Sequence, residues 1–165
     1  MKNLAFISII SIAVFFTVSV LSCSKKSDTP AVVKGCMDKN SLNYNANATQ
    51  DDGSCTYPRD KFVGTWTIKD TTIDFTNSGT AYQTYILTIQ KGSGTTGINL
   101  INFSNWNDTL KATVSGTSAS IPTQAAFGTC SPTANGYITL TGTTLLFDVT
   151  WVNCDFYDIS GTGTH

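Results

Sequence analysis

The sequence predicts an all-β fold: an antiparallel up-and-down meander closing into a barrel of about eight strands. Three observations predict it. Apolar and polar residues alternate from Phe62 to Ile159, the period of strands with one face in a core. Turn signals interrupt the alternation at Asn77-Ser78-Gly79, Lys91-Gly92-Ser93-Gly94, Asn105 to Asp108, Ser115-Gly116, Asn135-Gly136 and Thr141-Gly142. Thr, Ser, Asn and Gly dominate the polar residues, Glu is absent, and Ala and Lys are scarce, a composition that suits pleated surfaces better than helices.

The strands follow in order. Phe62, Gly64, Trp66 and Ile68 share one face, and Thr65, Thr67 and Lys69 the other. Tyr85, Leu87 and Ile89 alternate with Thr84, Ile86 and Thr88; Ile98 and Leu100 open a third strand that runs to Phe103. Leu110, Ala112 and Val114 form the next inward row. Ala119 and Ile121 precede Pro122, which predicts an edge or a strand end there. Ile138 and Leu140 follow Gly136, and Leu145, Phe147, Val149 and Trp151 make the cleanest inward row, with Tyr157 and Ile159 closing the chain. Closing the meander removes exposed edges.

The N-terminus carries a different signal. Behind Lys2 an apolar run begins at Leu4 and ends in Val20-Leu21-Ser22-Cys23. The run is near the lower limit for a membrane span, about 20 residues, and is diluted by Ser8, Ser11, Thr17 and Ser19. It resembles a bacterial lipoprotein signal peptide, in which the lipobox cysteine is acylated and becomes the new N-terminus. The resemblance implies removal of residues 1–22, acylation of Cys23 by more than one chain, and stable membrane attachment. The body then hangs in the cell envelope, and Ser24 points to the outer membrane, with either face open. Residues 23–34 are polar, contain Pro30 and read as a flexible tether.

The other cysteines, Cys36, Cys55, Cys130 and Cys154, form an even set in an oxidising compartment. Of the three pairings, Cys36–Cys55 with Cys130–Cys154 is favoured because each pair lies within one segment of the chain. Zinc is disfavoured, since C-x-x-C spacing and a nearby His are both missing. Residues 35–57 form a cysteine-clasped segment rich in Asp and Asn. Gly35, Cys36, Asp38, Asn43, Tyr44, Ala48, Asp51, Asp52, Gly53, Ser54 and Cys55 match the pattern G-C-x-D…N-Y…D-D-G-S-C. That pattern resembles a repeat of secreted and surface proteins of one Gram-negative phylum. A small cluster of Leu42, Tyr44 and Ala48 is expected to support it. Asp38, Asn43, Asp51 and Asp52 are candidate calcium ligands; the competing reading is that they cap turns.

Residues 60–165 form the β domain. Phe62-Val63-Gly64-Thr65-Trp66 resembles the G-x-W opening of lipocalins and of lipocalin-like bacterial lipoproteins. Ile101-Asn102-Phe103, Ala112 to Gly116 and Ile121-Pro122-Thr123-Gln124 resemble later segments of small lipoproteins of that kind. The resemblance implies a barrel with the tryptophan packed across its floor. The only arginine, Arg59, precedes the first strand, so the lipocalin arginine near the last strand is missing.

Composition narrows the function. Net charge is −1 with no basic stripe, which excludes nucleic acid as a partner. His165 is the only histidine and the last residue, where fraying is expected, so a catalytic triad is implausible. Asp148, Asp155 and Asp158 form an acidic cluster, but Asp148 alternates with Phe147 and Val149 and should point to solvent. A hydrolase is therefore disfavoured against a non-enzymatic binding or structural module, with an envelope protein as a potential partner. The alternative is a carrier of a small apolar ligand inside the barrel, lined by Trp66, Tyr85, Phe147 and Trp151. Trp106, in the polar loop Asn105 to Asp108, is the candidate exposed contact residue.

Overall fold

Eight strands run Gly64–Asp74 (β1), Gly79–Lys91 (β2), Gly97–Phe103 (β3), Asp108–Ser115 (β4), Ser118–Ala125 (β5), Thr133–Thr141 (β6), Thr144–Val152 (β7) and Phe156–Thr164 (β8). The structure, a computed structural model, describes residues 30–75, 78–125, 133–152 and 156–165. Each strand pairs antiparallel with its chain neighbours, and β8 returns to β1 through the register Thr67↔Thr164 to Asp74↔Tyr157. The meander is thus a closed barrel, and the predicted fold class holds. The inward parity also holds: Trp66, Ile68, Leu87, Ile89, Leu100, Leu110, Ile138, Leu145, Val149 and Ile159 are all buried in one core cluster.

Pro122 corrects the expected edge. The sheet has no edge; Pro122 falls at the register shift between Ile121 and Gln124 in the β5–β6 ladder, the kind of position where a strand tolerates a residue without an N–H. The β4–β5 ladder spans only Thr113↔Ser120 to Ser115↔Ser118. Beyond it, the Gln124 carboxamide replaces a strand partner: its Oε1 accepts from Lys111 N–H at 2.9 Å and its Nε2 donates to Lys111 C=O at 2.7 Å.

Asn135-Gly136 is a second correction. It lies inside β6, with Gly136 opposite both Ile121 and Val149. A Cβ there would stand 2.7 Å from Val149 Cα, so the glycine serves close approach of strands rather than a turn. Gly161 and Gly163 follow the inward Ile159 on β8, beside Phe147 and Ile68 respectively, leaving room for large side chains to fill the interior.

One end of the barrel is closed by the segment before β1. A 3₁₀ turn, Pro58–Lys61, leads into Phe62, which is fully buried and accepts a 2.8 Å hydrogen bond from Trp66 Nε1. Arg59 is buried and donates through Nη1 to the carbonyls of Gly92 (3.1 Å), Gly94 and Gly97 (3.4 Å), closing the β2–β3 turn. Lys91 pairs with Asp60 at 2.9 Å. Burial pushes the Asp60 carboxyl up, but hydrogen bonds from Lys91 and the Tyr57 N–H, with the charges of Lys91 and Arg59, hold it below its usual range. His165 does not fray: its ring lies 3.7 Å from that of Trp66, centroid to centroid, with Nδ1 3.1 Å from the Thr65 carbonyl oxygen.

The Cys36–Cys55 disulfide forms as expected, with a Cα separation of 4.8 Å. The predicted apolar cluster beside it does not: Leu42 and Tyr44 are exposed, 57% and 40%. Cys36 itself is buried, and the clasp is held by the disulfide, by Leu42 N–H to Thr56 C=O (2.7 Å) and by Asn45 N–H to Cys36 C=O (2.9 Å). Cys23, Cys130 and Cys154 lie outside the described residues.

Candidate functional site

The opposite end of the barrel is polar where the core pattern predicts apolar residues. The inward row of β1 begins Trp66, Ile68 and continues Asp70, Thr72, Asp74. Asp70 is 4% and Thr72 9% exposed, so β1 carries a carboxyl group and a hydroxyl into the upper interior. β2 places Gln83 directly opposite Asp70. Gln83 Nε2 donates to Asp70 Oδ2 at 3.2 Å and to Ser104 at 2.9 Å (Oγ) and 3.3 Å (carbonyl oxygen). Tyr85, one inward step deeper on β2, brings its hydroxyl beside Asp70 without making an aligned hydrogen bond.

The β3–β4 connection supplies the cover. The ladder slips at Asn102, and Asn102, Ser104, Asn105 and Asn107 all adopt positive φ between 53° and 65°. Asparagine tolerates this left-handed region better than most residues. Asn102 fixes the bend, donating to Ile86 C=O at 2.9 Å and accepting from Asn107 N–H at 3.1 Å. The resulting coil buries Ser104 completely and turns Trp106 back over the barrel. Trp106 packs edge-on against Trp151, ring centroids 4.6 Å apart, and stands 6.2 Å from the Tyr157 ring at 69°. Trp106 is therefore half-buried, not the exposed contact residue that its polar neighbours suggest.

Between this aromatic corner and the β1–β2 hairpin lies a depression of about 400 Å³, lined by Thr72, Asp74, Thr80, Ala81, Gln83, Trp106 and Tyr157. That is a volume suited to a small molecule. The polar cluster beneath it is incompletely satisfied: Asp70 Oδ1, Thr72 Oγ1 and the Tyr85 hydroxyl are buried without a hydrogen-bond partner. Unpartnered buried polar atoms cost stability. Burial pushes the Asp70 carboxyl up to about 6, against the Gln83 hydrogen bond and the nearby Tyr85 hydroxyl, which favour its ionised form. Burial also raises Tyr85, so it stays protonated. The described lining offers hydroxyls, a carboxamide, a carboxylate and aromatic faces, but no lysine, arginine, histidine or cysteine. Such a set offers hydrogen bonds and stacking surfaces to a ligand, and among the described residues it pairs no nucleophile with a histidine or lysine base.

The predicted barrel-lining residues are scattered through the packed core. Trp66 is at the closed end against His165, Phe147 lies edge-on to Phe103 at 5.5 Å, and Trp151 lies beneath Trp106. Tyr85 alone belongs to the polar cluster. Asp70, Thr72, Gln83, Ser104 and Tyr157 were missed as site residues. The signal was present in Asp70 and Thr72, which keep the inward parity of Trp66 and Ile68 past the point where the apolar pattern stops.

The four candidate calcium ligands are engaged in turns. Asp38 accepts from Asn40 N–H at 2.8 Å and from the Tyr57 hydroxyl at 2.7 Å. These bonds, Asn40's first, hold its carboxyl below the usual range. Asn43 links Ser54 C=O (2.7 Å) and Thr56 N–H (2.8 Å). Asp51 and Asp52 accept from Gly53 N–H (3.3 Å) and Ser54 N–H (3.0 Å). Among the described residues no three acidic, histidine or cysteine side chains gather as a metal centre requires. Asp148 and Asp158 lie on neighbouring strands; burial first, then the Asp148 charge, raises Asp158. Asp155 lies outside the described residues.

No protein-family model matches this chain, and no curated protein matches it in sequence.

Proposed function

We propose that the chain is an envelope lipoprotein, anchored through acylated Cys23, that acts as a non-catalytic binding module with its recognition site at the Trp106–Tyr157 mouth. Signal removal after Ser22 and a tether over residues 23–34 put the barrel outside the bilayer. The lipocalin likeness, from Gly64-Thr65-Trp66 and an eight-stranded closed barrel, is part of this reading. The observation that carries it is the contrast between the two halves of the interior. Trp66, Phe147 and Trp151, with Leu87 and Val149, belong to one buried cluster, which favours a filled scaffold over an interior carrier. The unpartnered polar atoms instead lie next to an opening of small-molecule size.

The anchor is tested by Cys23→Ser in the native host. Loss of fatty-acid labelling and release of the body from the membrane fraction are expected. Unchanged labelling would refute acylation at Cys23. The mouth is tested by Trp106→Leu: ligand binding detected by calorimetry should weaken while the circular-dichroism spectrum is preserved. Binding that is indifferent to Trp106 would place recognition elsewhere.

A further inference from the structure

We propose that the mouth takes a small organic ammonium ion, its charge directed at Thr72 and the carboxylate of Asp70 and its apolar body held in the corner of Trp106 and Tyr157. This rests on the reading of the mouth as the binding face and adds the ligand's chemical class.

Three features select an ammonium ion that carries an apolar body. First, the vacant hydrogen-bonding capacity is mainly for a donor. Ionised Asp70 Oδ1 only accepts, and Thr72 Oγ1 and the Tyr85 hydroxyl can accept; all three are buried without a partner. Thr72 itself lines the depression, and Asp70 is one inward step below it on β1. Second, the charge is one-sided. Asp74 puts a carboxylate in the lining, whose described residues include no lysine, arginine or histidine, so its formal charge disfavours an anion. Third, Trp106 and Tyr157 present two rings at 69° with centroids 6.2 Å apart, an aromatic wall for the apolar body of the ligand. Gln83 stands between the depression and Asp70 and fixes the carboxylate by its 3.2 Å hydrogen bond. Gln83 is therefore a positioning residue. A bound ammonium would also offset the unfavourable burial of the Asp70 charge, so binding should stabilise the fold.

The test uses full-length protein in detergent micelles and three probes of similar shape: benzylammonium, benzyl alcohol and benzoate. Calorimetry should find saturable benzylammonium binding, with the alcohol and benzoate weaker by about tenfold or more. Asp70→Asn should weaken benzylammonium by about tenfold while leaving benzyl alcohol unchanged. The substitution keeps the shape of the side chain, so the fold is preserved. Thr72→Val gives a second, milder loss. Benzoate or benzyl alcohol binding as tightly as benzylammonium would overturn the cation while retaining the mouth as a binding face. Unchanged affinity in Asp70→Asn, or no saturable benzylammonium binding, would overturn the proposal outright.

Discussion

Asp70→Asn should stabilise the protein at neutral and alkaline pH, and the gain should vanish in acid. Folded Asp70 titrates at about 6, against 3.8 for the ordinary side chain. Between these values the folded state holds a proton that the unfolded state has released. Stability from this group is therefore greatest below the unfolded value, falls as pH rises towards 6, and is level above it. A shift of about two units corresponds to an upper bound of about 3 kcal/mol. Asp70 sits near the mouth, where solvent screens part of the charge, and a realistic gain for the neutral isostere is about 1.5 kcal/mol. The substituted carboxamide would keep the acceptor for Gln83 Nε2 and turn its amide donor towards the unpartnered Tyr85 hydroxyl. Tyr85 is the titratable neighbour across the strand pair, and it remains protonated throughout the window because burial raises it. The assay is equilibrium urea unfolding of both proteins near pH 4 and near pH 8. A rise of about 5 °C in melting temperature near pH 8 is expected alongside it. Equal gains at both pH values, or a loss near pH 8, would refute the assignment of Asp70 as a buried, destabilising charge.

Other outcomes follow from the same structure. Peptide mapping without reduction should recover Cys36–Cys55 and Cys130–Cys154; the register Thr133↔Val152 sets the residues flanking the second pair opposite each other, and a Cys55–Cys130 link would contradict the local pairing. Gln124→Ala should cost about 1–2 kcal/mol, because it strips both backbone groups of Lys111 of their partner; a neutral result in urea unfolding would mean that water replaces the carboxamide freely. Calcium at roughly ten millimolar should leave the melting temperature unchanged, since Asp38, Asn43, Asp51 and Asp52 already cap turns; a clear rise would return those oxygens to a ligand role.

The barrel was legible because period-two rows such as Leu145, Phe147, Val149 and Trp151 encode both strand and face. Where local rules failed, a tertiary contact had displaced them. Pro122 reads as an edge because the sequence cannot display a glutamine side chain standing in for a strand. Asn135-Gly136 reads as a turn because glycine serves tight turns and close strand approach alike, and only the neighbour at Val149 distinguishes the two. Trp106 reads as exposed among asparagines, yet those asparagines supply the left-handed coil that folds it inward. The site was half legible. Asp70 and Thr72 announce themselves as polar residues on an apolar parity, whereas Gln83 and Tyr157 join them only through the pairing of β1 with β2 and β8, and Ser104 only through the β3–β4 coil and its hydrogen bond with Gln83.

Crystals under xenon pressure test most directly whether the barrel is a filled scaffold with recognition at its mouth. Xenon enters dry apolar cavities of the size that a small ligand would need. We expect no xenon enclosed by Trp66, Leu87, Phe147 and Val149, which are at most 4% exposed and packed in one cluster. An ordered xenon atom among those four side chains would reveal a hollow interior and return the protein to the class of interior carriers.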